Sequence, residues 1–170
     1  MISDEALMLD FQRGSRPAFE ELFARYHRIL YGFFRRRLAS EESADDLTQE
    51  TFLAVIHATA RYEPRALVRT YLYGIAFKLL AGERRKLARD QTADLSPVSG
   101  DDCDDRLWVR QAIERLDTND REILMLREYE QLSYAEIAEL LRLPVNTVRS
   151  RLFRARIELK HILAPAKGEA

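Results

Sequence analysis

The sequence has little of what several classes of protein require. It holds one cysteine, Cys103, so no disulfide can form within the chain, and its three histidines, His27, His57 and His161, are isolated. No zinc-ligand spacing exists. No segment approaches the roughly 18 apolar residues of a membrane span, and residues 1–5 are acidic where a signal peptide would be basic. We therefore expect a cytoplasmic protein with no metal site and no membrane insertion.

The sequence also lacks a strong net charge and the motifs of common catalytic sites. The formal charge of the 170 residues is −1, so only a local concentration of cations could attract a polyanion. There is no glycine-rich phosphate loop and no nucleophile elbow. Carboxylates are abundant, but on helix faces they usually serve solvation. We expect no catalytic site and no cofactor, and hence a protein that is not an enzyme.

What the sequence does have is an apolar pattern with a helical period almost throughout, which predicts an all-α fold. A first helix covers about residues 4–13 and ends at Gly14. A longer second helix runs between Pro17 and Leu38, because proline suits a first helical turn. Its apolar residues step by three and four and predict one continuous stripe: Phe19, Leu22, Phe23, Tyr26, Ile29, Leu30, Phe33 and Phe34.

Two more helices complete a predicted first domain, residues 1–87. Ser43 followed by Asp46 resembles a capping box and predicts a third helix that continues to about His57. Residues 62–65 read as a turn. The fourth helix ends in a basic tail at residues 84–86, and one face of it is apolar: Val68, Tyr71, Leu72, Ile75, Ala76, Leu79 and Leu80. These four helices can bury their stripes against one another as a helical bundle.

A polar segment and a second helical domain follow. Residues 88–105 contain Pro97, Gly100 and an acidic cluster, and they predict a flexible linker. Apolar periodicity resumes at Leu107 and predicts a second helical domain, residues 106–165. Asn119 with Glu122 marks one helix start in it.

The end of this second domain has the outline of a helix-turn-helix. Ser133 with Glu136 predicts a capping box that begins a short helix. Residues 142–144 then break the helix, because Pro144 lacks a backbone donor and biases its predecessor away from helix. A longer helix resumes at about Val145. In a helix-turn-helix the second helix enters the DNA major groove.

The angular arrangement of that last helix separates two faces. At about 100° per residue, one narrow arc is apolar and must face the core: Val148, Leu152, Ala155 and Leu159. The opposite and flanking positions combine base-edge donors, phosphate donors and an apolar side chain. The candidate DNA contacts there are Asn146, Thr147, Arg149, Ser150, Arg151, Phe153 and Arg154. A solvated basic face without a ligand is the alternative, and the preceding capped helix and proline break make it less favoured.

These segments resemble the C-terminal DNA-binding domain of sigma factors. The resemblance rests on residues 132–141, LSYAEIAELL, and residues 144–156, PVNTVRSRLFRAR, with support from residues 120–127. In that family this domain reads the upstream (−35) promoter element. The resemblance assigns that contact to Arg149, Ser150, Phe153 and Arg154, which the helical arithmetic had already placed on the outward face.

The first domain resembles the other conserved part of the same family. Residues 44–55, ADDLTQETFLAV, are similar to the sigma segment that docks on the RNA polymerase clamp coiled coil. The resemblance implies that the chain binds polymerase through Asp45, Asp46, Gln49 and Glu50. Acidic residues that complement the dipole at a helix N-terminus are the alternative, and composition alone would favour it.

The fourth helix resembles the promoter-melting element of the family, with residues 70–76 as the matching core. Melting needs aromatic surfaces for unstacked bases and cations for the backbone. The candidates are Tyr62, Arg65, Arg69, Tyr71, Lys78, Arg84, Arg85 and Lys86. Tyr71 is equally compatible with core packing. Three residues depart from the family pattern, since Tyr71 stands where Trp is usual, Lys78 where Asn is common, and Gly82 where Asp is usual.

Taken together, the resemblance covers about residues 5–163 and implies an alternative sigma factor of the extracytoplasmic-function group, with a sigma2-like first domain and a sigma4-like second domain. Its expected partners are promoter DNA and core RNA polymerase, through the clamp coiled coil and the flap, and an anti-sigma protein is a further expected partner. A stand-alone helix-turn-helix regulator with a sensing or dimerising first domain is the main rival, and a helical protein adaptor is another.

Overall fold

The computed structural model describes residues 1–90 and 104–164, with side chains from residue 107 in the second range. Every regular element in these ranges is helical, which confirms the all-α prediction. The α-helices are α1 Asp4–Gln12, α2 Arg16–Arg35, α3 Glu41–Ala58, α4 Val68–Asp90, α5 Asp104–Glu114, α6 Thr118–Glu128, α7 Tyr134–Leu141 and α8 Val145–Leu163. The chain divides into two compact units, Met1–Val98 and Ser99–Ala170. Each unit is described separately below.

Serine residues cap the first three helices. The side-chain oxygens of Ser3, Ser15 and Ser40 accept hydrogen bonds from backbone amides in the first turns of α1, α2 and α3. The predicted start of α3 at Ser43 is therefore wrong, since the Ser43 amide donates to Ser40 Oγ at 3.1 Å. Ser40 is followed directly by Glu41, and Ser43 has Asp46 three positions later, but Ser40 has the extended backbone that an N-cap requires.

Aromatic rings form much of the core of the N-terminal unit. Phe33 of α2 is fully buried, and its ring centroid lies 5.5 Å from that of Tyr73 and 5.1 Å from that of Phe77, both on α4. The predicted stripe on α2 is only partly buried, because Phe23 and Ile29 are exposed. Ile29 lies at the edge of the stripe, whereas the ring of Phe23 packs on Phe52 at 4.7 Å and leaves its outer side to solvent.

The turn before α4 is tied down by side chains of α1. Gln12 Nε2 donates to the carbonyl oxygens of Thr59 and Tyr62, each at 3.0 Å. Glu5 Oε1 accepts from the backbone amide of Val68 at 3.1 Å, so it satisfies a donor at the start of α4. α1 therefore fixes where α4 begins.

α4 differs in two ways from its prediction. It continues to Asp90, past the predicted domain boundary at residue 87, so the first residues assigned to the linker are helical. Tyr73 is buried although it was left out of the predicted apolar face, while Tyr71 and Ile75 are only partly buried. Residues 91–103 of the predicted linker, Cys103 among them, lie outside the described residues, and its last two residues begin α5.

The C-terminal unit packs α6 and α7 against α8. Its buried side chains include Ile123, Leu126, Leu132, Ile137 and Leu152. The helix start predicted at Asn119 is wrong, because Asp117 is the N-cap of α6 and accepts from the Asn119 amide at 3.0 Å.

The predicted break between α7 and α8 is present. The Ser133–Glu136 capping box closes with hydrogen bonds of 2.8 and 3.2 Å, which confirms the predicted start of α7. α7 ends at Arg142 in the left-handed conformation, with φ 54° and ψ 46°, and Pro144 directly precedes α8. The helix-turn-helix outline is thus formed as expected.

Candidate nucleic-acid and polymerase interfaces

α8 has one buried face and one exposed face. Val148, Leu152 and Ala155 are fully buried against the rest of the unit, and Leu159 is half-buried. Their spacing of three and four residues places them on one side of the helix. Side chains on the opposite side are therefore available to a ligand without disturbing the core.

Five of the seven candidate DNA contacts lie on that exposed side, and Thr147 and Arg151 flank it. Phe153 is 68% exposed, which is unusual for a phenylalanine. Thr147 and Arg151 are half-buried, and the remaining candidates are exposed: Asn146, Arg149, Ser150 and Arg154. Ser150 Oγ donates to the Asn146 carbonyl at 2.9 Å, and its oxygen can still accept. The surface therefore joins hydrogen-bonding groups, cations and one apolar ring.

The cations of α8 differ in their partners. Arg149 and Arg151 form no ion pair with any side chain that the structure describes. Arg154, in contrast, donates from Nε and Nη2 to both carboxylate oxygens of Asp120, at 2.6 and 2.8 Å, and these hydrogen bonds raise its pKa. Arg156 Nη2 donates to Glu128 at 2.7 Å, and that hydrogen bond likewise raises the pKa of Arg156.

α3 carries a second exposed surface, of opposite charge. Asp46, Gln49 and Glu50 are exposed, and Asp45 is half-buried and accepts from Gln49 Nε2 at 2.9 Å. On the buried side, the hydroxyl of Thr48 bonds back to the Ala44 carbonyl, so it needs no outside partner. The four predicted residues are thus brought together on one helix.

The structure extends this surface beyond the predicted residues. Leu53 and Ile56 are exposed and follow Asp46, Gln49 and Glu50 at intervals of three and four residues. The extended face of α3, which we define as Asp46, Gln49, Glu50, Leu53 and Ile56, is acidic at one end and apolar at the other. Its spacing could have been read from the sequence, because Leu53 and Ile56 continue the helical period of Asp46, Gln49 and Glu50.

The burial of Tyr62 contradicts its predicted role in melting. Its ring is 6% exposed, and it packs edge-on against Tyr71 with ring centroids 5.4 Å apart. The Tyr62 hydroxyl is buried and has no hydrogen-bond partner among the described residues. Burial raises the pKa of both tyrosines. Tyr62 therefore supports the turn before α4 and does not present its ring to an unstacked base.

The other predicted melting residues fall into two groups. Arg65 is exposed and pairs with Glu63 in the turn before α4, while Arg69 is half-buried near the start of that helix. Along α4, Tyr71, Lys78 and Arg85 follow each other at steps of seven residues and share one side of the helix. The other basic residues at its end, Arg84 and Lys86, are also exposed.

Two further kinds of feature are absent from the same ranges. The residues that the structure describes contain no group of three or more His, Cys, Asp or Glu side chains arranged to hold a metal ion. No helix within residues 1–90 and 104–164 combines the length and the apolarity needed to cross a bilayer.

Comparison with known proteins decides the family. Residues 22–90 match the family described as Sigma-70 region 2, and residues 106–159 match Sigma-70, region 4. The RNA polymerase sigma-H factor of Pseudomonas aeruginosa is 34% identical over 98% of this chain and 97% of that protein. The ECF RNA polymerase sigma factor SigC of Mycobacterium tuberculosis is 36% identical over 89% of this chain and 86% of that protein. The chain belongs to the extracytoplasmic-function group of the sigma-70 family.

The solved structures agree with this assignment to the sigma factors. CnrH, solved in complex with the cytosolic domain of CnrY, superposes with a TM-score of 0.72 at 28% identity, over 94% of this chain and 96% of that one. The matches and the two helical units together confirm the sigma2-like and sigma4-like prediction. The protein is an alternative sigma factor, and the sigma factors that it resembles are not enzymes.

Proposed function

We propose that this sigma factor reads duplex promoter DNA with the exposed face of α8. The observation that carries the proposal is the separation of the two faces, since the core residues and five of the seven candidate contacts occupy opposite sides of one helix. Arg149 and Ser150 are suited to base edges or phosphates, and Phe153 to the methyl group of a thymine. By resemblance to the family the target is the upstream promoter element.

Replacement of Arg149 tests this part of the proposal. Arg149→Ala should weaken promoter binding by about 1–3 kcal/mol and leave the free energy of unfolding unchanged, because the side chain is exposed. Arg115→Ala is a matched control, since Arg115 is an exposed arginine of the same unit outside α8. Equal promoter binding by Arg149→Ala and Arg115→Ala would count against α8 as the reading helix.

We also propose that the extended face of α3 docks on core RNA polymerase. Carboxylates at one end suit a basic partner, and exposed Leu53 and Ile56 at the other end supply apolar area that can be buried on binding. The mixture of charge and apolar surface is more than a helix dipole requires. It supports docking over the simpler interpretation of acidic residues at a helix N-terminus.

Charge reversal on α3 tests the docking surface. Asp46→Arg should weaken the binding of core polymerase without unfolding the protein, because the side chain is exposed. Asp90→Arg makes the same charge change at the end of α4 and serves as the control. Leu53→Asp should weaken docking as well. If polymerase binds both α3 variants and the control equally, the surface lies elsewhere.

We further propose that α4 contributes to promoter opening through Tyr71, Lys78 and Arg85. An aromatic ring followed by two cations on one helix side fits a single strand whose bases stack and whose phosphates need neutralising. Arg65, Arg69, Arg84 and Lys86 would add to the local positive charge. Permanganate footprinting of the opened duplex with Lys78→Ala, against wild-type protein, tests this role, and an unchanged footprint would exclude it for that residue.

In vitro transcription tests the whole proposal. Core polymerase should initiate on specific genomic fragments only when the protein is present. A stand-alone regulator would instead bind those fragments tightly without polymerase. The proposed setting is the cytoplasm, where the protein acts by binding and performs no catalysis of its own.

An inhibitory partner completes the proposal. CnrH was solved with the cytosolic domain of CnrY bound, and the likeness to CnrH supports a comparable anti-sigma protein for this chain. Such a protein should abolish the specific transcription in a dose-dependent way when added to the purified reaction. Transcription that persists at saturating concentrations of a bound candidate would exclude that candidate as the inhibitor.

A further inference from the structure

The recognition helix holds one cation that is anchored by a buried acid. Asp120, in the first turn of α6, is 1% exposed, whereas the Arg154 side chain is 63% exposed. The two are joined by hydrogen bonds of 2.6 and 2.8 Å across 34 positions of sequence. The other ion pair of α8 among the described residues, Arg156 with Glu128, is half-exposed on both sides and lacks this asymmetry.

We infer that Asp120 is a positioning residue for Arg154. By fixing the plane of the guanidinium, Asp120 directs Arg154 to contact the edge of a guanine base and not simply a phosphate. The inference rests on the proposed function, because it assumes that α8 enters the major groove. It assigns a role in promoter specificity to a residue that is not on the recognition helix and cannot itself touch DNA.

The geometry of the guanidinium supports this role. A guanidinium has five N–H groups in one plane and can present two parallel pairs of donors. Asp120 occupies the pair on Nε and Nη2. The other pair, on Nη1 and Nη2, points away along the side chain and remains available. Because a bidentate contact fixes the plane, those donors have a defined direction. Guanine presents two neighbouring acceptors, O6 and N7, that match such a pair.

The charges lead to the same conclusion. Arg154 and Asp120 together carry no net charge, so the pair adds little to the attraction for phosphates. Arg149 and Arg151, which have no ion-pair partner among the described side chains, keep their full charge toward DNA. Each phosphate that a cation neutralises adds about 0.9 to the slope of log binding constant against log salt concentration. Arg154 should therefore contribute to base selection and hardly at all to this slope.

The experiment uses the full chain bound to core polymerase, with duplexes selected from a randomised pool so that no promoter sequence has to be known. Arg154→Ala is avoided as the main variant, because it leaves the Asp120 carboxylate buried and unpaired and could unfold the unit. Asp120→Asn keeps the size of the side chain and removes its charge. The double variant Asp120→Asn with Arg154→Gln removes both charges and retains a hydrogen-bonding pair. Arg149→Ala is the reference for DNA binding through α8.

The expected results separate the possible roles. Asp120→Asn should reduce the guanine preference at one selected position at least fivefold and steepen the salt slope by roughly 0.9. The double variant should lose that preference equally and keep the wild-type slope. Arg149→Ala should lower the affinity at least about fivefold.

Two results would overturn the inference itself, and a third would overturn it by removing the proposed function. A guanine preference unchanged in Asp120→Asn would show that the ion pair only stabilises the unit. A double variant whose salt slope falls by about 0.9 would show that Arg154 neutralises a phosphate. Full affinity in Arg149→Ala would instead remove the proposed function on which the inference depends.

Discussion

The recognition helix and the region around α4 meet the demands of binding in different ways. On α8 the core residues and five of the seven candidate contacts lie on opposite faces, so Arg149 can be replaced without touching Leu152. Around α4, the aromatic residues are shared between packing and surface. Tyr62 is buried beneath the turn, and Tyr71 packs on it while part of its ring remains accessible.

This difference teaches which substitutions can report on function. A change on the exposed face of α8 should alter DNA binding and leave folding intact. A change at Tyr62 should alter folding, and any loss of promoter opening would follow from it. A change at Tyr71 should alter both, since its half-buried ring packs on Tyr62 and is also proposed to stack on unpaired bases. Stability and promoter binding, measured on the same variants, can therefore break this distinction or make it quantitative.

The largest effect is expected at Tyr62. Tyr62→Ala should lower the free energy of unfolding of the N-terminal unit by about 3 kcal/mol, because it removes a buried ring that packs on Tyr71. Tyr62→Phe is the matched control. It should be neutral or slightly stabilising, since the hydroxyl that it removes is buried without a hydrogen-bond partner among the described residues.

Denaturant unfolding followed by circular dichroism measures both variants. If Tyr62→Ala kept full stability but lost promoter opening, Tyr62 would be a functional surface residue and the distinction between the two regions would fail. If Tyr62→Phe were strongly destabilised, the Tyr62 hydroxyl of the wild-type protein would have a hydrogen-bond partner outside the described residues.

The sequence could predict the face of a helix but not the partners of a residue outside one. On α8, periodicity alone separated the buried Val148 and Leu152 from the exposed Arg149, because both sets repeat along one regular helix. Tyr62 follows the 3-10 turn Thr59–Arg61 and has no periodicity. Its burial depends on Gln12, which lies 50 positions earlier, and on Tyr71 of the following helix.

Helix caps and long-range pairs show the same limit. Ser40 and Ser43 both precede acidic residues, and only the backbone conformation reveals that Ser40 is the cap of α3. The pairing of Arg154 with Asp120 depends on how α6 packs against α8, which no local pattern encodes. The contacts on α8 were therefore predicted as a set, whereas their individual electrostatic states were not.

A smaller loss of stability is expected at alkaline pH. Burial and the hydrogen bond to Asp4 raise the pKa of Tyr26. Because the folded state holds the phenolic proton more tightly, this contribution is complete below the unfolded pKa of about 10 and is lost as pH rises above it. The free energy of unfolding should therefore fall progressively as pH rises above about 10, and over the first pH unit by less than in Tyr62→Ala.

Tyr26→Phe tests the cause of the alkaline loss. This variant should be less stable than wild type at pH 8, where the hydrogen bond to Asp4 is intact, and the two stability curves should draw closer as pH rises above about 10. Urea midpoints at several pH values provide the measurement. Parallel curves would show that other groups cause the loss.

Ser133 and Ser150 of the C-terminal unit allow the effects on stability and on promoter binding to be compared within one domain. Ser133→Ala should lower the free energy of unfolding by about 1 kcal/mol, because it removes the hydroxyl of the α7 capping box. Ser150→Ala makes the same chemical change on the exposed face of α8 and should leave stability within about 0.5 kcal/mol. Promoter binding should respond in the opposite order, with the larger specific loss in Ser150→Ala. Equal effects of the two variants on both measurements would mean that stability and binding are not separable on this unit.

The smallest effect is expected at Arg142, in the turn that joins α7 to α8. Its φ of 54° lies in the left-handed region, where a side chain costs about 1–2 kcal/mol and glycine costs little. Glycine also loses more conformational freedom on folding, by about 0.5–1 kcal/mol. Arg142→Gly should therefore raise the free energy of unfolding by only about 0.5 kcal/mol.

Arg142→Ala separates the backbone effect from the loss of the guanidinium. Alanine retains the unfavourable φ, so this variant should be no more stable than wild type, and the glycine variant should exceed it by about 1 kcal/mol in denaturant unfolding. Promoter binding adds a second measurement, because the turn holds α8 at the correct angle to α7. If both variants bind promoter DNA equally, the arginine side chain alone determines any loss relative to wild type. If only the glycine variant binds more weakly, DNA recognition depends on the rigidity of the left-handed turn. The separation of folding from binding on α8 would then end at the N-terminal turn of that helix.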